Sequence, residues 1–143
     1  MMHDSAVFFG HLLSHGSENY SDFTLFSDSP VDDAIDFKNV VTGVCPMFVM
    51  DENSVEVILE ARKPQRKSRK ALRDMFEAHS DRISGATGVE LEFDMAGEDS
   101  NFTRLSLRHN IPDNRTDRSF MEFIGEISSS MNELLVTVKS MDK

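Results

Sequence analysis

The amino-acid sequence predicts an α+β fold in which an antiparallel sheet is covered by helices, in the order α-β-(β-β)-α-β-β-α. Two observations lead to this prediction. Segments with alternating apolar and polar residues occur as neighbours joined by short turns, as β-hairpins do. Segments with apolar residues at helical spacing precede, separate and follow them. The length of 143 residues is typical of one domain, so residues 1–143 are expected to form a single domain.

Three segments have helical periodicity. The first helix is expected over residues 5–14, with Gly16 able to end it. The second helix follows a proline, has Ser68 as its candidate N-cap, and is expected to end by Gly88. The third is the longest, with an apolar stripe over residues 119–138. These helices provide the layer that covers the sheet.

The strands are predicted from alternation and from β-branched residues. Pro46 lacks a backbone N–H, so its strand is expected to be split, bulged or at an edge. Glu56 and Glu60 are expected to point outward, and residues 27–39 to form a loop. Acids on one strand of the late hairpin are expected to face arginines on the other. The expected strands are 22–26, 40–50, 55–60, 89–94 and 102–109, and the facing charges are Glu90, Glu92 and Asp94 against Arg104 and Arg108.

The overall composition excludes several classes of protein. The net charge is −10, which disfavours a general binder of nucleic acid or of anionic membranes. No apolar run approaches the roughly 18 residues that a membrane span needs, and the N-terminus lacks a secretory signal pattern. The single cysteine, Cys45, cannot form an internal disulfide, and its apolar surroundings predict a buried, inert thiol. We therefore expect a cytoplasmic protein with no membrane partner.

The charge is distributed unevenly along the chain. Residues 62–73 contain seven cations and no acid, whereas the other 131 residues have a net charge of −17. Positive charge at the start of a helix opposes the helix dipole, which indicates a binding surface for phosphates or for an acidic protein. The alternative is a solvated segment that pairs with the chain's own acids, including Glu56 and Glu60. The candidate binding residues are Arg62, Lys63, Arg66, Lys67, Arg69, Lys70 and Arg73.

Motifs for catalysis and metal binding are weak. His11 and His15 have the spacing of two metal ligands on a helix, but no acid lies between them and no third ligand is evident. A solvated helix face is therefore expected there. The sequence contains no nucleophile elbow, phosphate-binding loop or dinucleotide fingerprint. We predict no metal and no cofactor.

One acidic pattern is faintly similar to a magnesium-dependent nuclease core. Asp32 or Asp33, followed by the Glu60-Ala61-Arg62 sequence, would place an acid before an acidic strand motif. Arg62 stands where such a core needs lysine. A chain with 25 carboxylates matches separated acids easily, so we predict no catalytic residues.

Four segments carry a resemblance to a known family. They are FFGHLL at 8–13, VEVIL at 55–59, GVELEF at 88–93 and RLSL at 104–107. Their order resembles a bacterial and archaeal family of uncharacterised domains that is often attached behind a restriction-endonuclease-like domain. The resemblance spans about residues 5–139, although Phe93 stands where that family usually has tryptophan. It implies an accessory or protein-interaction module in a DNA-handling or defence context, without an active site.

Three functional hypotheses follow. The leading hypothesis is a non-enzymatic module that binds another protein. The acidic body of this module would also mimic the charge of DNA. The second is a homodimeric secretion chaperone, because the element order and acidity are similar to those of small type III secretion chaperones. The third is a nucleic-acid binder that contacts the phosphate backbone through residues 62–73. That segment contains no aromatic residue for base stacking, so phosphate or carboxylate contacts are expected instead of base readout.

Overall fold

Helices and strands alternate along the chain in the computed structural model, which describes residues 5–20, 34–36, 43–62, 66–95, 102–112 and 117–141. These residues form three helices and five strands, in an order that confirms the predicted α+β class. The elements are α1 (Ser5–Asn19), β1 (Ala34–Asp36), β2 (Cys45–Met50), β3 (Ser54–Arg62), α2 (Arg66–Thr87), β4 (Leu91–Met95), β5 (Phe102–Asn110) and α3 (Asp117–Met141).

The strands form one antiparallel sheet in the order β1-β2-β3-β5-β4. Strand β3 is central and pairs with β5 along its whole length, from Ser54 opposite Asn110 to Arg62 opposite Phe102. Two hairpins, β2–β3 and β4–β5, therefore lie side by side. This contact between strands that are far apart in sequence completes the sheet.

The two faces of the sheet differ in chemistry. The face under the helices is apolar, and Val57, Leu59, Leu105 and Leu107 on it are fully buried. They belong to a core that includes residues of all three helices. Burial of such side chains contributes roughly 1.5–3 kcal/mol each. The opposite face, which we call the outer face, has charged residues from β3, β4 and β5. The charged residues with described side chains on these three strands of the outer face are Glu56, Glu60, Glu92, Asp94, Arg104 and Arg108.

The helices are longer than predicted. Helix α1 continues past Gly16 to Asn19, and the Tyr20 backbone N–H donates to the Gly16 carbonyl at 2.8 Å. Helix α2 begins at Arg66, so Ser68 is a buried residue inside the helix and not its cap. Its end is as predicted, because Gly88 has a φ of 78° and its N–H bonds back to the helix.

One strand departs from the prediction. Residues 34–36 are a short strand inside the predicted loop, because they pair with Val49, Phe48 and Met47 of β2. The predicted strand at 22–26 lies outside the described residues. Pro46 is inside β2 opposite Leu59, next to the last β2 position that pairs with β1. A residue without a backbone N–H is tolerated there, because no described strand pairs with this position on the side away from β3.

Candidate binding surfaces

The first turns of α2 form a compact group of cations, which we call the basic surface: Arg66, Lys67, Arg69, Lys70 and Arg73. All but Arg69 are exposed, and the Nε of Arg69 donates to the Thr103 hydroxyl at 3.2 Å. A helix advances roughly 100° per residue. The buried side chains of this segment therefore fall on one side of α2 and the cations spread over the opposite side. The buried side chains are Ser68, Leu72 and Met75.

Five of the seven predicted binding residues are thus brought together by one helix. Arg62 is the last residue of β3, and its side chain is outside the described part of the chain, as is Lys63. The first turn of α2 contains no acid. The Lys70 Nζ pairs with the Asp74 carboxylate at 3.1 Å, and this ion pair is exposed. An exposed pair of this kind contributes little stability.

The acids expected to neutralise this segment have partners elsewhere. Glu60 accepts a hydrogen bond from Arg104 at 2.7 Å, and Glu56 accepts one from Arg108 at 2.7 Å. Both arginines lie on β5 and point to the outer face, whereas α2 packs on the other face of the sheet. Among the described residues, Arg66 and Lys67 have no ion pair. The basic surface therefore keeps most of its charge exposed to solvent.

The outer face contains a shallow charged groove of about 460 Å³. Glu60 is on this face, as predicted, but it is buried, with only 3% of its surface exposed. Arg104 lies directly opposite Glu60 across the sheet and neutralises its charge. Asp94 lies directly opposite Arg104 across the late hairpin, as predicted, and Arg104 and Arg108 also form ion pairs with Glu60 and Glu56 of β3. The groove is lined by Glu56, Glu92, Phe93, Asp94, Arg104, Ser106 and Arg108.

The ion pair between Glu60 and Arg104 involves the glutamate of the predicted nuclease-like pattern. Glu60 of that pattern is bound to Arg104, and Asp32 and Asp33 lie outside the described residues. In the described part of the chain, no three His, Cys, Asp or Glu side chains are grouped closely enough to hold a metal ion.

Two of the histidines connect α3 to other elements. The Nδ1 of His15 is 2.9 Å from the Ser128 hydroxyl, so the predicted solvated face is wrong for this half-buried residue. The Nε2 of His109 is 2.8 Å from the Ser130 hydroxyl, and His109 is buried. Burial lowers the pKa of His109 below its ordinary value.

His109 was not singled out in the sequence, although a signal for its burial was present. It follows Thr103, Leu105 and Leu107 at alternate positions on the face of β5 under the helices. Cys45 is half-buried instead of fully buried, and its thiol is 3.7 Å from the Pro46 carbonyl. Neither His109 nor Cys45 is next to a residue of the basic surface in the sequence or in the pairing of the strands.

No protein-family model matches the sequence, and no curated protein is significantly similar to it. Among solved structures, the chain is similar to the crystal structure of YbjN from E. coli, which is proposed to be a transcription regulator. The TM-score is 0.47 at 13% identity, over 92% of this chain and 91% of that one. A likeness at this level carries no conclusion about function. None of the described helices is long and apolar enough to span a membrane.

Proposed function

We propose that this chain is a non-enzymatic interaction module of the cytoplasm that binds an acidic surface of a partner protein through the basic surface. The observation that carries the proposal is the cluster of exposed cations on the first turns of α2, without an acid in its first turn. The sequence resemblance to a family of accessory domains supports the same role, because the motifs in that resemblance are structural.

The energetics of α2 favour this interpretation. Cations in the first turn of a helix oppose the dipole by a few tenths of a kcal/mol to about 1 kcal/mol each. Arg66, Lys67 and Lys70 are also close neighbours on one helix and repel each other. Selection for stability alone would place acids at these positions. A partner's carboxylates would remove both unfavourable terms on binding.

An acidic protein fits this surface better than a nucleic acid does. The rest of the chain has a net charge of −17, which repels the long phosphate backbone of DNA or RNA. Residues 62–73 also lack an aromatic side chain on which a base could stack. A protein partner can instead present a local acidic patch to the basic surface alone.

The test is affinity capture from the native host with two charge-matched double variants. Arg66→Glu with Lys67→Glu reverses two cations of the basic surface. Arg118→Glu with Lys139→Glu reverses two exposed cations of α3 and changes the net charge equally. The captured partner is then purified, and its affinity for each variant is measured by calorimetry. We expect the first variant to bind at least about tenfold more weakly, since each like-charge contact is unfavourable, and the second to bind like the wild type.

Three results would overturn the proposal. One is equal loss of binding in both variants, which would indicate an effect of net charge. Another is a purified partner whose binding is unaffected by Arg66→Glu with Lys67→Glu. The third is tight binding of duplex DNA that weakens steeply with salt and is lost in that variant, which would assign the surface to phosphate-backbone contacts.

A further inference from the structure

Strand β4 is at an edge of the sheet within the described residues. It pairs with β5 on one side, from Leu91 opposite Leu107 to Met95 opposite Thr103. The strand order places no other described strand on its second side. An edge strand presents backbone N–H and C=O groups that can pair with an additional strand. The Met95 end of this edge lies near the basic surface, because Arg69 donates to Thr103, the residue opposite Met95.

One contact fixes which backbone groups of β4 face outward. The backbone N–H of Leu91 donates to the Ser84 hydroxyl of α2 at 3.0 Å, so it is directed away from β5. In an antiparallel pair, the residues that bond to the neighbouring strand alternate with those that do not. Phe93 has the same orientation as Leu91, and its N–H and C=O therefore point away from β5, to the side of β4 where no other described strand pairs. They are positioned to pair with one residue of an added strand.

The side chains of β4 determine which charge an added strand must carry. Glu92 and Asp94 lie on the outer face and are exposed. Neither forms an ion pair with the described residues, because Arg104 and Arg108 extend to Glu60 and Glu56 of β3. The surplus negative charge of the outer face is therefore concentrated on the edge strand.

On the other face of β4 lies an aromatic pair. The rings of Phe93 and Phe76 stack with centroids 5.3 Å apart, and both side chains are only partly buried. A residue paired with Phe93 would direct its side chain to this face, since directly opposite residues share a face of the sheet. An apolar side chain would extend the contact with the two rings.

We infer that the β4 edge binds an extended segment of a partner protein with the pattern basic–apolar–basic. The segment adds a sixth strand antiparallel to β4, with its central residue exchanging two backbone hydrogen bonds with Phe93. Its two basic side chains lie opposite Glu92 and Asp94 on the outer face. Its apolar side chain packs beside Phe76.

A second copy of this chain is a poor occupant of the same edge. In an antiparallel pair of β4 strands that keeps the helices on one side, Glu92 faces Glu90, Glu92 or Asp94 of the other copy. Every such register places like charges directly opposite each other, which is destabilising. The acids that attract a basic strand therefore also prevent self-association through this edge.

The test uses a capped peptide with a Lys-Val-Arg centre flanked by serine and threonine. Binding is measured by calorimetry, and the Phe93 amide is followed by NMR and hydrogen exchange. We expect binding with slowed exchange at Phe93, and at least about tenfold weaker binding when Glu92→Gln and Asp94→Asn are combined. The matched control combines Glu52→Gln and Glu126→Gln, two exposed acids on other elements, and is expected to bind like the wild type.

Peptide variants separate strand addition from simple charge attraction. Methylation of the valine amide removes the hydrogen bond to Phe93 and should abolish binding, and a Glu-Val-Glu centre should not bind. Equal binding of the methylated peptide would overturn the inference, because only charge would then be recognised. Failure of the Lys-Val-Arg peptide to bind the folded protein would also overturn it, as would wild-type self-association that the peptide competes away.

Discussion

Two glutamate–arginine pairs on the outer face differ in burial although their geometry is the same. Glu60 with Arg104 and Glu56 with Arg108 are each directly opposite across β3 and β5, and each has an N–O distance of 2.7 Å. The side chains of the first pair are 4% and 29% exposed, whereas those of the second are 21% and 56% exposed. The same contact is therefore largely shielded from water at Glu60 and more exposed to water at Glu56. Its contribution to stability depends on this difference.

Burial changes what happens when one partner is removed. At the Glu60 pair, the remaining charge on Arg104 would be only partly reached by water, so much of the desolvation penalty remains. At the Glu56 pair, water solvates the remaining charge, and the mutual attraction is weakened by the high dielectric. The comparison predicts that loss of the ion pair lowers the stability of the protein strongly at Glu60 and weakly at Glu56.

The largest effect is expected for Glu60→Gln, which keeps the side-chain shape and removes its charge. The free energy of unfolding should fall by about 2–3 kcal/mol, because Arg104 loses its charged partner in a partly buried position. Urea unfolding at neutral pH measures this change. A second variant, Glu60→Gln with Arg104→Met, should recover part of the loss by removing the unmatched guanidinium. A loss below about 0.5 kcal/mol in the single variant would contradict the comparison.

A smaller effect on stability is expected from protonation of His109. It extends the comparison to a buried group that becomes a cation beside a hydroxyl instead of a carboxylate. Its described hydrogen-bond partner is the neutral Ser130 hydroxyl, and burial lowers its pKa from the ordinary 6.5. The unfolded chain therefore binds the proton more readily than the folded protein. The stability contribution of neutral His109 is complete above pH 6.5 and is lost as the pH falls from there through the folded pKa.

The measurement for His109 is the free energy of unfolding of the wild type and of His109→Gln between pH 7.5 and 5.5. The wild type should lose about 1 kcal/mol more than the variant over this range, within the limit of about 1.4 kcal/mol per pH unit for one proton. His15 and the other histidines are present in both proteins, so the difference isolates His109. Parallel profiles would show that His109 has the same pKa in the folded and unfolded chains.

The sequence indicates the faces of the sheet well, because alternation is a local property. In β5, the alternation correctly separates Leu105 and Leu107 from Arg104 and Arg108. It cannot show which acids those arginines reach, because β5 lies between its hairpin partner β4 and the distant strand β3. The burial of Glu60 has the same origin, since it depends on the position of Arg104 across the sheet.

The candidate binding surface was predictable for a related reason. The cations of the basic surface are close in sequence, and the helix that follows Pro64 keeps them close in space. Helix α2 begins at Arg66 instead of at the expected cap, Ser68, so the dipole acts on more cations than the sequence indicated. The β4 edge could not be predicted, since a strand's place in the sheet depends on long-range pairing.

The smallest effect is expected for Glu56→Gln, the counterpart of the change at Glu60. Loss of the exposed pair with Arg108 should lower the free energy of unfolding by about 0.5 kcal/mol or less, because water replaces the lost contact and both side chains regain rotational freedom. Salt distinguishes the two sites further. Raising the ionic strength from about 0.05 to 1 M should reduce the effect at Glu56, because the screening length falls to about 3 Å and the pair is exposed, and should leave most of the effect at Glu60. Urea unfolding at both salt concentrations checks this, and equal salt sensitivity at the two sites would show that burial does not distinguish them.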